Sequence, residues 1–150
     1  MNMRLLVPLV ALVAAGCGGD DDVRESAAQE GNGPQMVLSV ALEPDPPVAG
    51  QPVTWVLTVR NDGSEATTLT YGSGQRGDVV LTNAGNEAYK WSAGRSFTQS
   101  VTEQEMAPGQ EVEHRLEEQA LSVAPGEYEL VATLAAEPRV EPSRQQVQIR

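Results

Sequence analysis

Residues Tyr71–Phe97 read Tyr-Gly-Ser-Gly-Gln-Arg-Gly-Asp-Val-Val-Leu-Thr-Asn-Ala-Gly-Asn-Glu-Ala-Tyr-Lys-Trp-Ser-Ala-Gly-Arg-Ser-Phe, and their pattern decides the fold. A short apolar run, Asp78–Leu81, and an aromatic-rich run, Ala88–Trp91, flank Asn83-Ala84-Gly85-Asn86. Gly85 is free to take the left-handed conformation that closes a tight turn between two strands, so the stretch predicts a β-hairpin. The chain has two Trp and three Tyr. All of them lie in or beside segments of strand character, which predicts a core where two sheets meet, with this hairpin at its centre.

Outward from the hairpin the same period of two recurs. Leu38, Val40 and Leu42 share one face of Met36–Glu43, and Pro44, Pro46 and Pro47 stop that ladder. Val53, Trp55, Leu57 and Val59 alternate with Thr54, Val56, Thr58 and Arg60, the clearest strand signal in the chain. Asn61-Asp62-Gly63-Ser64 is a turn, after which Thr67, Leu69 and Tyr71 share a face. After Phe97, Val101 and Met106 are the large apolar residues before Pro108-Gly109, whose φ preferences suit a type II turn. Glu111–Leu121 is ambiguous, because Val112, Leu116 and Ala120 also fall at helical spacing. The turns that bracket it and the alternation of Val112, His114 and Leu116 favour a strand, with a single helical turn near Glu118 as the alternative. Tyr128, Leu130, Ala132 and Leu134 form another inward row, and Val147 with Ile149 close the domain. Seven to nine short strands without crossover helices predict an all-β fold, an antiparallel immunoglobulin-like β-sandwich, over residues 35–150.

The N-terminal part has a different composition. Arg4 precedes an apolar run, Leu5–Ala15, too short for the ~20 residues of a membrane span, so residues 1–16 read as a signal peptide. Ala14, Ala15 and Gly16 lead into Cys17, the single Cys of the chain. This arrangement resembles a bacterial lipobox and implies cleavage before Cys17 and acylation of its thiol, hence a membrane-anchored lipoprotein of the cell envelope, outside the cytoplasm. Lipoboxes more often carry Leu where Ala14 stands. Each buried methylene of the acyl chains contributes ~0.8 kcal/mol, so two or three chains hold a domain durably. Residues 17–34 then form an acidic, Gly-rich tether with too little apolar surface to order itself, and a reach of roughly 20–25 Å. Asp20, Asp21 and Asp22 lack the alternation and Gly turn of a calcium loop and read as a solvated run.

Charge and composition exclude several functions. Ten basic and 21 acidic residues give −11. Loss of Arg4 with the leader leaves nine against 21, or −12, a surface that repels phosphate backbones and argues against nucleic acid as a partner. One Cys permits no internal disulfide. The one His, His114, has no catalytic partner pattern and reads as a structural or surface residue, so no enzyme is expected. One His with scattered carboxylates makes no metal-ligand spacing, and no cofactor is expected. Gly72–Gly77 lacks the Lys-Ser/Thr of a phosphate loop and precedes a strand. Arg76-Gly77-Asp78 spells an adhesion tripeptide but sits in a Gly-rich loop where chance accounts for it. Trp55 and Trp91 read as core residues from their alternating neighbours, in preference to interface anchors.

The run Tyr71-Gly-Ser-Gly-Gln, Asp78-Val-Val-Leu, Gly85, Tyr89-Lys-Trp91-Ser and Phe97-Thr-Gln, followed by Pro108-Gly109-Gln and Pro125-Gly126-Glu-Tyr128, resembles the BsuPI-type intracellular proteinase inhibitor family. The resemblance covers about Val53–Leu134. It implies an immunoglobulin-like, non-catalytic binding domain that restrains serine proteases. Gly77 and Val79 stand where the family tends to place larger residues, and the leader implies a target outside the cytoplasm. The family's inhibitory contacts do not transfer to named positions. A substrate-like inhibitor adds an extended segment to the enzyme's strand edge. The exposed candidates for such protein binding are Gly72, Ser73, Gly74, Gln75, Arg76, Gly77 and Asp78 in one loop, and Ser92, Ala93, Gly94 and Arg95, continuing to Phe97, in another. The alternative partner is another cell-envelope protein, held by sheet edges or the acidic face of an assembly module. The oligomeric state is left open.

Overall fold

In the computed structural model the described residues are 35–150; the expected signal peptide, lipidated Cys17 and tether lie outside them. The strongest alternation, Val53 to Val59, becomes the middle strand of a three-stranded antiparallel sheet. In it β1 (Met36–Glu43) and β7 (Glu111–Glu118) flank β2 (Val53–Asn61). Register places Trp55 between Leu42 and Leu116, and Val59 between Leu38 and Val112. Trp55, Leu57 and Val59 are fully buried. Burying an indole of this size contributes about 4–6 kcal/mol of transfer free energy. Val56, on the opposite face, is also buried. It occupies the centre of this middle strand, opposite Ala41 and Arg115.

A second sheet has the order β10-β8-β4-β5, from β4 (Gly77–Asn83), β5 (Asn86–Lys90), β8 (Gly126–Leu134) and β10 (Ser143–Ile149). The quoted hairpin is β4–β5. Ala84 and Gly85 both have positive φ, 50° and 80°, the signature of a type I′ turn. The register slips between Leu81 and Thr82. Only β4 is central. β5 lies at the sheet edge with Asn86, Glu87 and Ala88 exposed, so Tyr89 and the following Trp91 are what this arm delivers to the core. The expectation of a core centred on the whole hairpin is corrected accordingly, because an edge strand has a neighbour on one side alone.

The two sheets meet through Trp55 and Tyr89, whose rings lie 5.9 Å apart, and through Leu57, which fills the space a side chain at Gly77 would need. Read as an immunoglobulin domain, β1, β2 and β7 take the places of strands A, B and E, and β4, β5, β8 and β10 those of C, C′, F and G. Tyr128, near the start of β8, donates its hydroxyl hydrogen bond to the Ala124 carbonyl at 2.7 Å. This is the tyrosine corner of such domains.

A third, smaller sheet, unanticipated, has the order β6-β3-β9, with β3 (Thr67–Tyr71), β6 (Thr102–Met106) and β9 (Ala136–Glu137). The domain thus has ten strands where seven to nine were expected. β6 reads Thr-Glu-Gln-Glu-Met and buries Met106 alone, while β9 has two residues, so neither shows alternation. The Glu111–Leu121 ambiguity resolves as strand through Glu118, with no helical turn. Its pairing to β2 overrides the helical propensity of Glu, Arg and Leu. Pro108-Gly109 makes the expected turn, with Gly109 at φ 79° and Gln110 N donating to Ala107 O at 3.0 Å.

Candidate functional site

Because β4 and β5 form one hairpin, the loop that enters β4 and the loop that leaves β5 emerge at the same end of the sheet. The structure joins them at Asp78. Its Oδ1 accepts hydrogen bonds from Val79 N at 2.9 Å and Ser92 N at 3.0 Å, and its Oδ2 accepts one from Ser92 Oγ at 2.6 Å. Hydrogen bonds to a carboxylate are stronger than neutral ones, so this junction fixes the second loop against the first strand. Gly77 and Asp78 belong to β4, leaving Gly72–Arg76 as the loop proper. Gly77 is buried: a Cβ there would stand 2.7 Å from Thr133 O and 2.6 Å from Leu57 Cδ2. The smaller residue at this position is therefore matched by Leu57.

Each loop has its own internal bracing. Gln75 N donates to Ser73 Oγ at 3.2 Å and Gln75 Nε2 to Gly77 O at 3.1 Å. Arg76 lies over the Tyr71 ring, 4.6 Å from its centroid, and donates to Thr102 Oγ1 at 2.6 Å. In the second loop Arg95 covers Trp91, 4.4 Å from the ring centroid. Arg95 also donates to Trp91 O at 2.7 Å and Glu117 O at 3.0 Å, and pairs with Glu118 at 3.3 Å. Trp91 Nε1 donates to Glu117 O at 3.0 Å, and Phe97 packs on the Trp91 ring at 5.8 Å. Ala93, Gly94 and Arg95 are exposed. A further bond crosses between the loops, from Gly74 N to Thr98 O at 2.8 Å.

The candidates named from sequence are thus brought to one end of the sheet by Asp78–Ser92 and Gly74–Thr98, with one correction: Gly77, expected to be exposed, is buried against Leu57 and Thr133 because it opens a central strand. Sequence reasoning did not name Thr98 or Thr102 as site residues, although they receive the first loop's bonds. Thr98 entered only within the Phe97-Thr-Gln run of the family resemblance, and Val101 and Met106 only as apolar residues, neither of which says where the chain is held.

Behind the first loop, Tyr71 OH and His114 Nε2 share a hydrogen bond of 2.9 Å, with the two rings edge to face. Burial, and then the nearby Arg76 charge, hold the His114 pKa below its ordinary value. Burial raises that of Tyr71. His114 is therefore a half-buried neutral residue braced by a phenol. At the other side, Tyr89 donates to Glu118 at 2.9 Å, and burial pushes the Tyr89 hydroxyl above its ordinary range. Among the described residues no three of His, Cys, Asp and Glu gather as a metal site.

Several solved structures are similar to this chain at low identity. The sporulation control protein Spo0M of Bacillus subtilis is 14% identical with a TM-score of 0.49, over 77% of this chain and 49% of that one. This chain thus spans about half of that protein's length. The CARDB domain of a Pyrococcus furiosus protein, solved with di-metal ions, is 16% identical with a TM-score of 0.45, over 78% of this chain and 89% of that one. A β-glucosidase of Erythrobacter marinus is 13% identical with a TM-score of 0.44, over 78% of this chain and 16% of that one. No curated protein matches the chain. The profile of the BsuPI family, described as intracellular proteinase inhibitor, matches residues 40–139, two thirds of the chain and nearly the whole sandwich. With the Trp91-Ser92…Phe97-Thr98-Gln99 run at the braced loop and the tyrosine corner at Tyr128, this chain belongs to the BsuPI family of intracellular proteinase inhibitors.

Proposed function

We propose that this protein is an exported lipoprotein, acylated at Cys17, whose domain inhibits serine proteases outside the cytoplasm by occluding their cleft. The observation that carries the inhibitory reading is the family match over residues 40–139. The braced pair of loops at one end of the sheet supports it: a segment held rigid before binding loses little conformational freedom on docking. The anchor is supported by Arg4, the apolar run Leu5–Ala15 and the small residues that lead into Cys17. An inhibitor on a tether of ~17 residues sweeps the volume within a few nanometres of the membrane, where it guards neighbouring envelope proteins.

The test is a titration of subtilisin, elastase, chymotrypsin and trypsin with the full chain in detergent. Loss of activity in proportion to added protein, complete near one equivalent for at least one enzyme, is the expected result. Full activity of all four at micromolar excess would overturn inhibition in favour of an assembly module that holds another envelope protein. Mass spectrometry of the membrane fraction tests the anchor, and an unmodified Cys17 or a cut elsewhere would refute it.

A further inference from the structure

Between the braced second loop and β6 runs Ser96–Val101, with neither turn nor bend, no residue at positive φ, and no strand partner. Such a run is an extended segment. It is fixed at three points: Phe97 packs on Trp91, the Thr98 carbonyl accepts from Gly74 N, and the Thr102 hydroxyl accepts from Arg76. Between those points Gln99, Ser100 and Val101 are exposed, and their backbone groups make no hydrogen bond within the described residues. Val101 is 65% exposed, against 40% for Val37 and 38% for Val48, the other large apolar residues left in solvent. An extended strip with free main-chain donors and acceptors, ending in an apolar side chain, has the form of a peptide added to a partner's strand edge.

We propose, resting on the inhibitory reading above, that Gln99–Val101 is the segment that enters the protease cleft, and that Val101 occupies a small apolar specificity pocket. The class of target follows from what the segment itself carries. A trypsin-like pocket needs a free basic side chain on the inserted strip, but Ser96–Val101 has none, and the two Arg that brace it are engaged: Arg76 is stacked on Tyr71 and bonded to Thr102, while Arg95 is stacked on Trp91 and bonded to Glu117. A pocket shaped for a small aliphatic side chain, of the elastase kind, accepts Val101 without disturbing either brace.

The experiment measures inhibition constants of the full chain in detergent against elastase and trypsin, for wild type, Val101→Ala, Val101→Asp, Val101→Lys and, as a control, Val37→Asp on β1. Val101 is exposed, so these substitutions leave the fold intact. Wild type inhibits elastase and spares trypsin. Val101→Ala weakens elastase inhibition about tenfold and Val101→Asp about 100-fold or more, the range set by losing or mismatching a few apolar atoms in such a pocket. Val101→Lys moves inhibition from elastase to trypsin, and Val37→Asp changes neither. Wild type that inhibits elastase with all Val101 variants equally potent would overturn this segment's role while leaving the inhibitory reading standing. Trypsin inhibited in preference to elastase would overturn the assignment of the pocket. No inhibition of either enzyme by any variant would overturn the proposal, and the four-enzyme titration then tells whether the inhibitory reading falls with it.

Discussion

Replacing Asp78 with Ala removes the carboxylate that joins the two loops, and the structure sets the size of the effect. Two cross-loop hydrogen bonds are lost, to Ser92 N and Ser92 Oγ, together with one to Val79 N. A hydrogen bond to a charged group contributes about 1.5–3 kcal/mol when buried. Asp78 and Ser92 are half-buried, so water recovers part of this. The expected loss is therefore about 2–4 kcal/mol. With an m-value of about 2 kcal/mol/M in urea, the unfolding midpoint falls by about 1–2 M. Ser92→Ala removes one bond and costs about 1 kcal/mol, and Asp78→Asn, which keeps one acceptor, falls between. Because both single variants break the same contact, the double variant Asp78→Ala/Ser92→Ala is less destabilised than the sum by about 1 kcal/mol. Urea unfolding followed by Trp fluorescence reads all four. An Asp78→Ala unfolding free energy within about 0.5 kcal/mol of wild type, the range of an ordinary surface change, would refute the claim that this carboxylate holds the second loop in place.

Other consequences follow from single contacts. Gly77→Ala forces a Cβ against the Thr133 carbonyl and is expected to cost about 2–3 kcal/mol in thermal or urea unfolding, whereas Gly72→Ala, with open space around it, stays within about 0.5 kcal/mol. Tyr128→Phe leaves the Ala124 carbonyl without its donor and lowers stability by about 1–2 kcal/mol in the same assay. The His114 pKa is held below 6.5 in the folded state, so as pH falls the unfolded chain takes up this proton first. The stability from His114 is complete above about pH 6.5 and is lost below it, at no more than ~1.4 kcal/mol per pH unit. His114→Gln should flatten the stability profile between pH 7.5 and 5, and an unchanged slope would contradict the burial argument.

The large strands were legible because burial writes a period of two, which β8 carries without interruption from Tyr128 to Leu134 and β2 carries from Val53 to Val59 apart from the buried Val56. The third sheet was not. Thr102–Glu105 are polar on both faces, and β6 is a strand through its pairing with β3, a long-range fact that local pattern does not encode. The hairpin turn was read correctly at Gly85, but the second positive φ at Ala84 carries no residue signal. At the candidate site the first loop was visible as a Gly-rich interruption and the second as the short gap between Trp91-Ser92 and Phe97. What joins them is not local: Asp78 and Ser92 are 14 residues apart, and Arg76 and Thr102 are 26 apart. Val101 was singled out only as apolar, and its exposure depends on how Phe97 and Thr98 are held before it.

Where a protease touches the molecule decides most directly whether the Ser96–Val101 segment enters its cleft. Hydrogen exchange of the full chain in detergent, with and without elastase inactivated at its catalytic serine, measures this amide by amide. Slowed exchange centred on residues 96–101, extending to 72–76, is the predicted result. Protection confined to the edge strands β1 and β10, with residues 96–101 exchanging as fast as in the free chain, would contradict it.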